Sequence, residues 1–164
     1  MINNKNKQEI QNWIKEQKPT HFLTIQFKIN LRSSNYEKSK NLLYKYMVSF
    51  ERILKGRHWN RHHLEFICFA ERNSKRDNCW HYHILLCGNK NDTTENISKA
   101  LSKLKTKKDL CDNIFDLQEI IRTPDKLYNY CMKHFDITLK GRVNTDKFIT
   151  SWDLFNLPYK SNSK

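Results

Sequence analysis

The stretch NCWHYHILLCG, residues 78–88, places two histidines one residue apart inside an apolar run. An aromatic and aliphatic run of this length, bounded by Asn78 and Gly88, reads as a buried β-strand. Side chains on a strand alternate faces, so His81 and His83 project from one side, roughly 6.6 Å apart along the chain. Tyr82 then faces the opposite layer.

RNSKRDN (72–78) is a polar connection, and HLEFICFAE (63–71) before it reads as a second strand, which makes the pair a hairpin. Upstream, HFLTIQFKI (21–29) reads as the first strand. Between them, Leu43, Met47, Phe50 and Leu54 follow a spacing of 4, 3 and 4, one face of a long helix over 35–55. Downstream, Asp92 and Glu95 have the spacing of a capping box, and Ile97, Leu101 and Leu104 supply an apolar stripe to a helix ended by KLKTKK (103–108). A fourth strand is expected within 112–121. Thr123 and Pro124 then open a helix in TPDKLYNYCMKHF (123–135). Ile10, Trp13 and Ile14 mark an amphipathic helix over 5–18, ahead of Pro19. The order α, β, α, β, β, α, β, α fits an α+β fold: a central antiparallel sheet with packed helices, ferredoxin-like or RRM-like. Residues 137–164 form a basic tail with no assigned structure.

A chain of 164 residues suits one domain and leaves no room for an added ATPase or helicase module. Thirty Lys and Arg against 17 Asp and Glu give a net charge of +13, the footprint of a phosphate-backbone binder. Charge alone does not separate DNA from RNA. No 18-residue apolar span or signal-peptide core is present, so a membrane partner is not expected. The five cysteines include no C-x-x-C pair, which argues against a disulfide framework or a zinc ribbon and for a reducing, cytoplasmic setting.

Two constellations can carry chemistry. The first is the His81, His83 pair, beside which the hairpin would bring Glu71. Two nitrogens and one oxygen with open positions suit Mg²⁺ or Mn²⁺ better than a closed structural zinc site. Histidines in this pattern also occur as partly buried residues satisfied by neighbours, and His63 and Glu65 share the strand face of Glu71 as rival ligands. The second is YCMK (130–133), where Tyr130, Lys133 and His134 share a helical face and Tyr128 points elsewhere. A phenol beside a cation is a sensible nucleophile for phosphoryl transfer, although a helical tyrosine is often core or interface.

THFLTIQFK, Glu71, WHYHILL and YCMK, in that order, resemble the motifs of rolling-circle replication initiators (Rep proteins) of the HUH endonuclease superfamily. The resemblance covers about 20–136 and leaves out the N-terminal helix and the tail. It implies the HUH endonuclease fold, with Phe22, Leu23 and Thr24 on an architectural, DNA-facing strand. It implies His81 and His83 as metal ligands, Glu71 as the carboxylate ligand, Tyr130 as the catalytic tyrosine and Lys133 as the lysine that follows it. Two-tyrosine members carry a second tyrosine where this chain has Lys126, so one nucleophile is expected.

The implied activity is Mn²⁺- or Mg²⁺-dependent nicking and rejoining of single-stranded or hairpin origin DNA through a 5′-phosphotyrosine intermediate, with helicase and polymerase borrowed from the plasmid's or virus's host. Lys103, Lys105, Lys107 and Lys108 could hold the backbone, although any one of them also suits an ordinary solvated helix end; Trp59 and Trp80 could stack on bases, although core packing is the commoner role for each. A single-tyrosine transposase of the same superfamily is the nearest alternative, and a non-catalytic nucleic-acid-binding module the alternative from another class.

Overall fold

The computed structural model describes residues 4–61, 63–72, 78–108, 110, 116–120, 124–132 and 148–156. Its elements run α1 (Asn4–Glu16), β1 (His21–Ile25), α2 (Tyr36–Lys55), β2 (Glu65–Arg72), β3 (Trp80–Cys87), α3 (Thr94–Lys108), β4 (Asp116–Glu119), α4 (Pro124–Cys131), β5 (Phe148–Thr150) and α5 (Ser151–Phe155). The strands form one sheet in the order β4-β1-β3-β2-β5, every described pairing antiparallel. The first four strands in the order 4-1-3-2, with α2 and α3 as crossovers, make the ferredoxin-like α+β arrangement.

β3 sits at the centre and is buried on both faces, which is why its sequence reads as nearly unbroken apolar. Tyr82, Ile84 and Leu86 pack with Leu43, Met47 and Phe50 of α2 and with Ile97, Leu101 and Leu104 of α3. Leu85, on the other face, packs with Phe22, Ile67 and Phe69 under Ile14 of α1, Tyr128 and Cys131 of α4, and Met132 just after it. The sheet therefore separates an α2/α3 layer from an α1/α4 layer. Tyr82 anchors the first of these: its hydroxyl donates to Ser39 Oγ at 2.7 Å, and burial raises its pKa well above the ordinary phenol value.

Three expectations are corrected. β1 ends at Ile25 rather than 29, because the chain turns there: Leu31 and Arg32 N–H groups both donate to Lys28 O, and Lys28 N–H leaves the sheet to reach Leu110 O. Asp92 does not cap α3; Thr93 does, accepting from Asn96 N–H, while Asp92 is buried and paired with Lys55 Nζ at 2.6 Å. The ordered core continues beyond residue 136, since β5 pairs with β2 and places Ile149 and Leu154 in the α2/α3-side core. Among the described residues, no helix is long and apolar enough to cross a membrane. Cys68, Cys79, Cys87 and Cys131 are free thiols.

Candidate active site

The β2–β3 register sets Glu71 opposite His81 and Phe69 opposite His83, and β1 sets Thr24 opposite His83 from the other side. Cross-strand partners share a face, so Glu71, His81, His83 and Thr24 all lie on the α1/α4 side of the sheet. There His83 Nε2 is 2.9 Å and His81 Nε2 3.4 Å from the same Glu71 oxygen, Oε2. The three side chains each offer a ligand atom, all within 4.8 Å of one another, a group able to hold a metal ion.

The 2.9 Å contact of His83 Nε2 with Glu71 Oε2 is itself a hydrogen bond, and the two nitrogen-to-oxygen separations are also compatible with a shared cation. Donors about 2.1 Å from a common ion lie about 3.0 Å apart at right angles and about 3.4 Å apart at the tetrahedral angle. The two nitrogen-to-oxygen distances, 2.9 and 3.4 Å, fall at those separations. With His83 Nε2 turned to an ion, Nδ1 carries the ring proton and donates to Thr24 Oγ1, 3.2 Å away. Such an outer hydrogen bond fixes tautomer and ring orientation. Phe22 stacks on the same ring, centroids 5.6 Å apart and planes 15° from parallel. His83 is thus buried and held from two sides, whereas His81 is half-buried and set edge-on to it at 5.1 Å.

Tyr130 comes from the layer above. Pro124 opens α4, and the helix carries Tyr130 until its ring centroid lies 5.2 Å from that of His83, while 45% of the residue remains exposed. Two positions earlier is about 200° away around the helix, so Tyr128 points into the core and is 3% exposed. Burial above all, then Cys87, Asp125 and Cys131, raises the Tyr128 pKa. Tyr128 and Tyr130 thus point to different sides of α4, as helical spacing predicts.

No protein-family model, curated protein or solved structure matches the chain.

α4 packs on the sheet through Tyr128 and Cys131, and α1 braces it from the side. Ile14 is fully buried against α4 and the sheet, worth about 1.5–3 kcal/mol. Lys15 Nζ pairs with Asp125 at 2.7 Å, and Gln11 Nε2 donates to Asn129 Oδ1 at 2.5 Å. Both polar contacts are exposed and add little. The apolar contact is the larger part of what α1 adds. This role of α1, and those of Thr24 and Phe22 toward His83, were not legible in the sequence; only their strand and helix assignments were.

The two rival ligands, His63 and Glu65, lie elsewhere. His63 lies before β2 with Nδ1 3.1 Å from both oxygens of buried Glu51. Glu65 shares the face of Glu71 but lies six residues along the strand, about 20 Å away. Trp80 is core, edge-on to Tyr36, with Nε1 donating to Ser34 O. Half-buried Trp59 carries the Arg52 guanidinium 4.4 Å over its ring. Lys133, His134 and the Thr123 cap lie outside the described residues. Lys103, Lys105, Lys107 and Lys108 ride on α3, across the sheet from the three ligands.

Proposed function

We propose that the chain nicks and rejoins single-stranded DNA in the manner of HUH rolling-circle initiators, with Tyr130 as nucleophile and Glu71, His81 and His83 as ligands of a divalent cation. The observation that carries this reading is a 45% exposed Tyr130 whose ring centroid lies 5.2 Å from that of His83, beside three donors all within 4.8 Å of one another. When bound there, Mg²⁺ or Mn²⁺ supplies Lewis acidity to a phosphoryl oxygen and helps align the phosphate.

The chain's own groups do the rest. Thr24 and Phe22 keep the His83 ring in one plane, and α1 braces α4 over the sheet. Tyr130 Oη gives up its proton and forms a bond to phosphorus as the bond from phosphorus to the 3′ oxygen breaks; that oxygen takes up a proton and leaves as a 3′-OH. The product is a 5′-phosphotyrosine, and reversal by a 3′-OH reseals the strand. One phosphodiester replaces another, so neither step needs ATP. Lys133, three positions on, is the cation assigned to the developing phenolate. The substrate is single-stranded or an extruded hairpin, because one phosphate must reach both the sheet surface and the helix above it.

The test is a nicking assay on labelled single-stranded origin-like DNA with Mn²⁺. The wild type yields a denaturation-resistant adduct, and replacing His81 and His83 together with alanine removes nicking. Undiminished nicking by that double variant would remove the metal-site assignment.

A further inference from the structure

The positive charge is not spread evenly over the two layers. Residues 36–61 and 94–108, which build the α2/α3 layer, carry twelve Lys or Arg against three Asp or Glu. Helices α1 and α4, which cover the candidate active site, carry four against three. Most of the excess therefore lies across the sheet from the ligands and Tyr130.

On α3, no acidic residue occurs from Asn96 to Lys108, while Lys99, Lys103 and Lys107 repeat every four residues and all are exposed. At 100° per residue they drift only about 80° and climb about 12 Å, one continuous stripe. On α2, exposed Lys38 and Lys45 are seven residues apart and nearly eclipsed. The helices pack side by side, pinned at one end by the Lys55–Asp92 pair. Packed helix axes lie about 8–10 Å apart, so the two cationic rows are separated by a distance comparable with the groove widths of a duplex, about 6–12 Å.

The helix dipole accounts for only part of this. It favours lysines in the last turn of α3, but Lys103 lies before that turn, Lys99 is mid-helix in an exposed pair with Glu95, and Lys38 sits in the first turn of α2, where the dipole opposes a cation. The layer also offers a single strand little to stack on: α3 contains no aromatic residue, and the exposed aromatic of α2, Tyr44, is set edge-on against Phe155 of α5. A partner that offers regularly spaced phosphates and keeps its bases stacked inside itself fits this face better.

We infer that the α2/α3 layer is a second nucleic-acid surface, which binds the phosphate backbone of duplex DNA without reading sequence, through Lys38, Lys45, Lys99, Lys103, Lys107 and Lys108. It is separated by the sheet from the proposed nicking site and does not depend on that reading. Its place in the fold would let the chain stay on flanking duplex while the α1/α4 side faces a single strand.

The test is fluorescence anisotropy of the full chain with a labelled 20-base-pair duplex in EDTA, so that metal chemistry plays no part, across 50–200 mM NaCl. Each phosphate contact contributes about 0.9 to the slope of log affinity against log salt. The triple variant Lys103→Gln, Lys107→Gln, Lys108→Gln should bind more weakly and with a slope shallower by about 2.7, so that the wild type loses about 40-fold more affinity than the variant over that range. These positions are exposed and glutamine is nearly as good a helix former, so far-UV circular dichroism should be unchanged. The charge-matched control Lys5→Gln, Lys7→Gln, Lys126→Gln, on the α1/α4 layer, should keep the wild-type slope. Equal slopes for all three proteins would overturn the inference, as would an equal loss in both variants. Tighter binding to a 20-nucleotide single strand or to phosphatidylserine vesicles, with the same dependence on α3, would replace duplex DNA as the partner.

Discussion

Replacing Thr24 with valine is the sharpest probe of how the ligands are held. The hydroxyl of Thr24 is 3.2 Å from His83 Nδ1 and valine has nearly the same shape, so the change removes one hydrogen bond and leaves the packing. His83 is 4% exposed, and solvent cannot readily take over the lost contact. Losing such an outer partner typically weakens metal affinity 10- to 100-fold, or about 1.4–2.7 kcal/mol.

The effect is also readable as stability. At a Mn²⁺ concentration 100 times the wild-type Kd, binding stabilises the wild type by about 2.7 kcal/mol, whereas the variant would gain only about 0.4–1.4 kcal/mol. Isothermal titration with Mn²⁺ gives the first number, and urea unfolding with and without Mn²⁺ gives the second. Thr24→Ser, which keeps the hydroxyl, should return most of the affinity. Affinity of the valine variant within threefold of wild type would refute the argument that Thr24 orients His83.

Other perturbations address the scaffold. Ile14→Ala should cost about 2–5 kcal/mol in urea unfolding, because Ile14 is fully buried between α1, α4 and the sheet; a loss under 1 kcal/mol would mean that α1 does not brace α4. Lys55→Met leaves the buried Asp92 carboxylate without its cation and should cost about 3–5 kcal/mol; an unchanged midpoint would contradict that. His21, hydrogen-bonded through both ring nitrogens to Thr20 and Thr94, has its pKa lowered by burial, with Glu119 and Asp92 pulling the other way. The unfolded chain therefore takes up this proton first, so stability declines as pH falls through about 6.5 and levels off below the folded value. His21→Gln should lose less stability than wild type between pH 7.5 and 5; equal losses would exclude His21 as a source of that dependence.

How far the sequence reaches depends on whether a feature is local. The H-x-H pattern needs only strand alternation to put His81 and His83 on one face, and a short hairpin suffices to bring in Glu71. Helix periodicity likewise marks Leu43, Met47 and Phe50, all buried. The contacts that hold the site are another matter. Thr24 meets His83 only because β1 pairs with β3, 59 residues on, and Gln11 meets Asn129 across 118 residues. β5 has three residues, too few for alternation to register, and exists through its pairing with β2. The shift of the α3 cap from Asp92 to Thr93 has a tertiary cause as well, since Lys55 holds the Asp92 carboxylate.

The most direct test of Tyr130 as the nucleophile is to map the covalent bond. Wild-type protein is incubated with single-stranded DNA and Mn²⁺, the DNA is trimmed to its terminal nucleotide, and the tryptic peptide of residues 127–133 is fragmented by mass spectrometry. That peptide contains both Tyr128 and Tyr130. The nucleotide should sit on Tyr130 alone, and be absent when Mn²⁺ is chelated and absent in Tyr130→Phe. A nucleotide on Tyr128, or an adduct that persists in Tyr130→Phe, would contradict Tyr130 as the nucleophile.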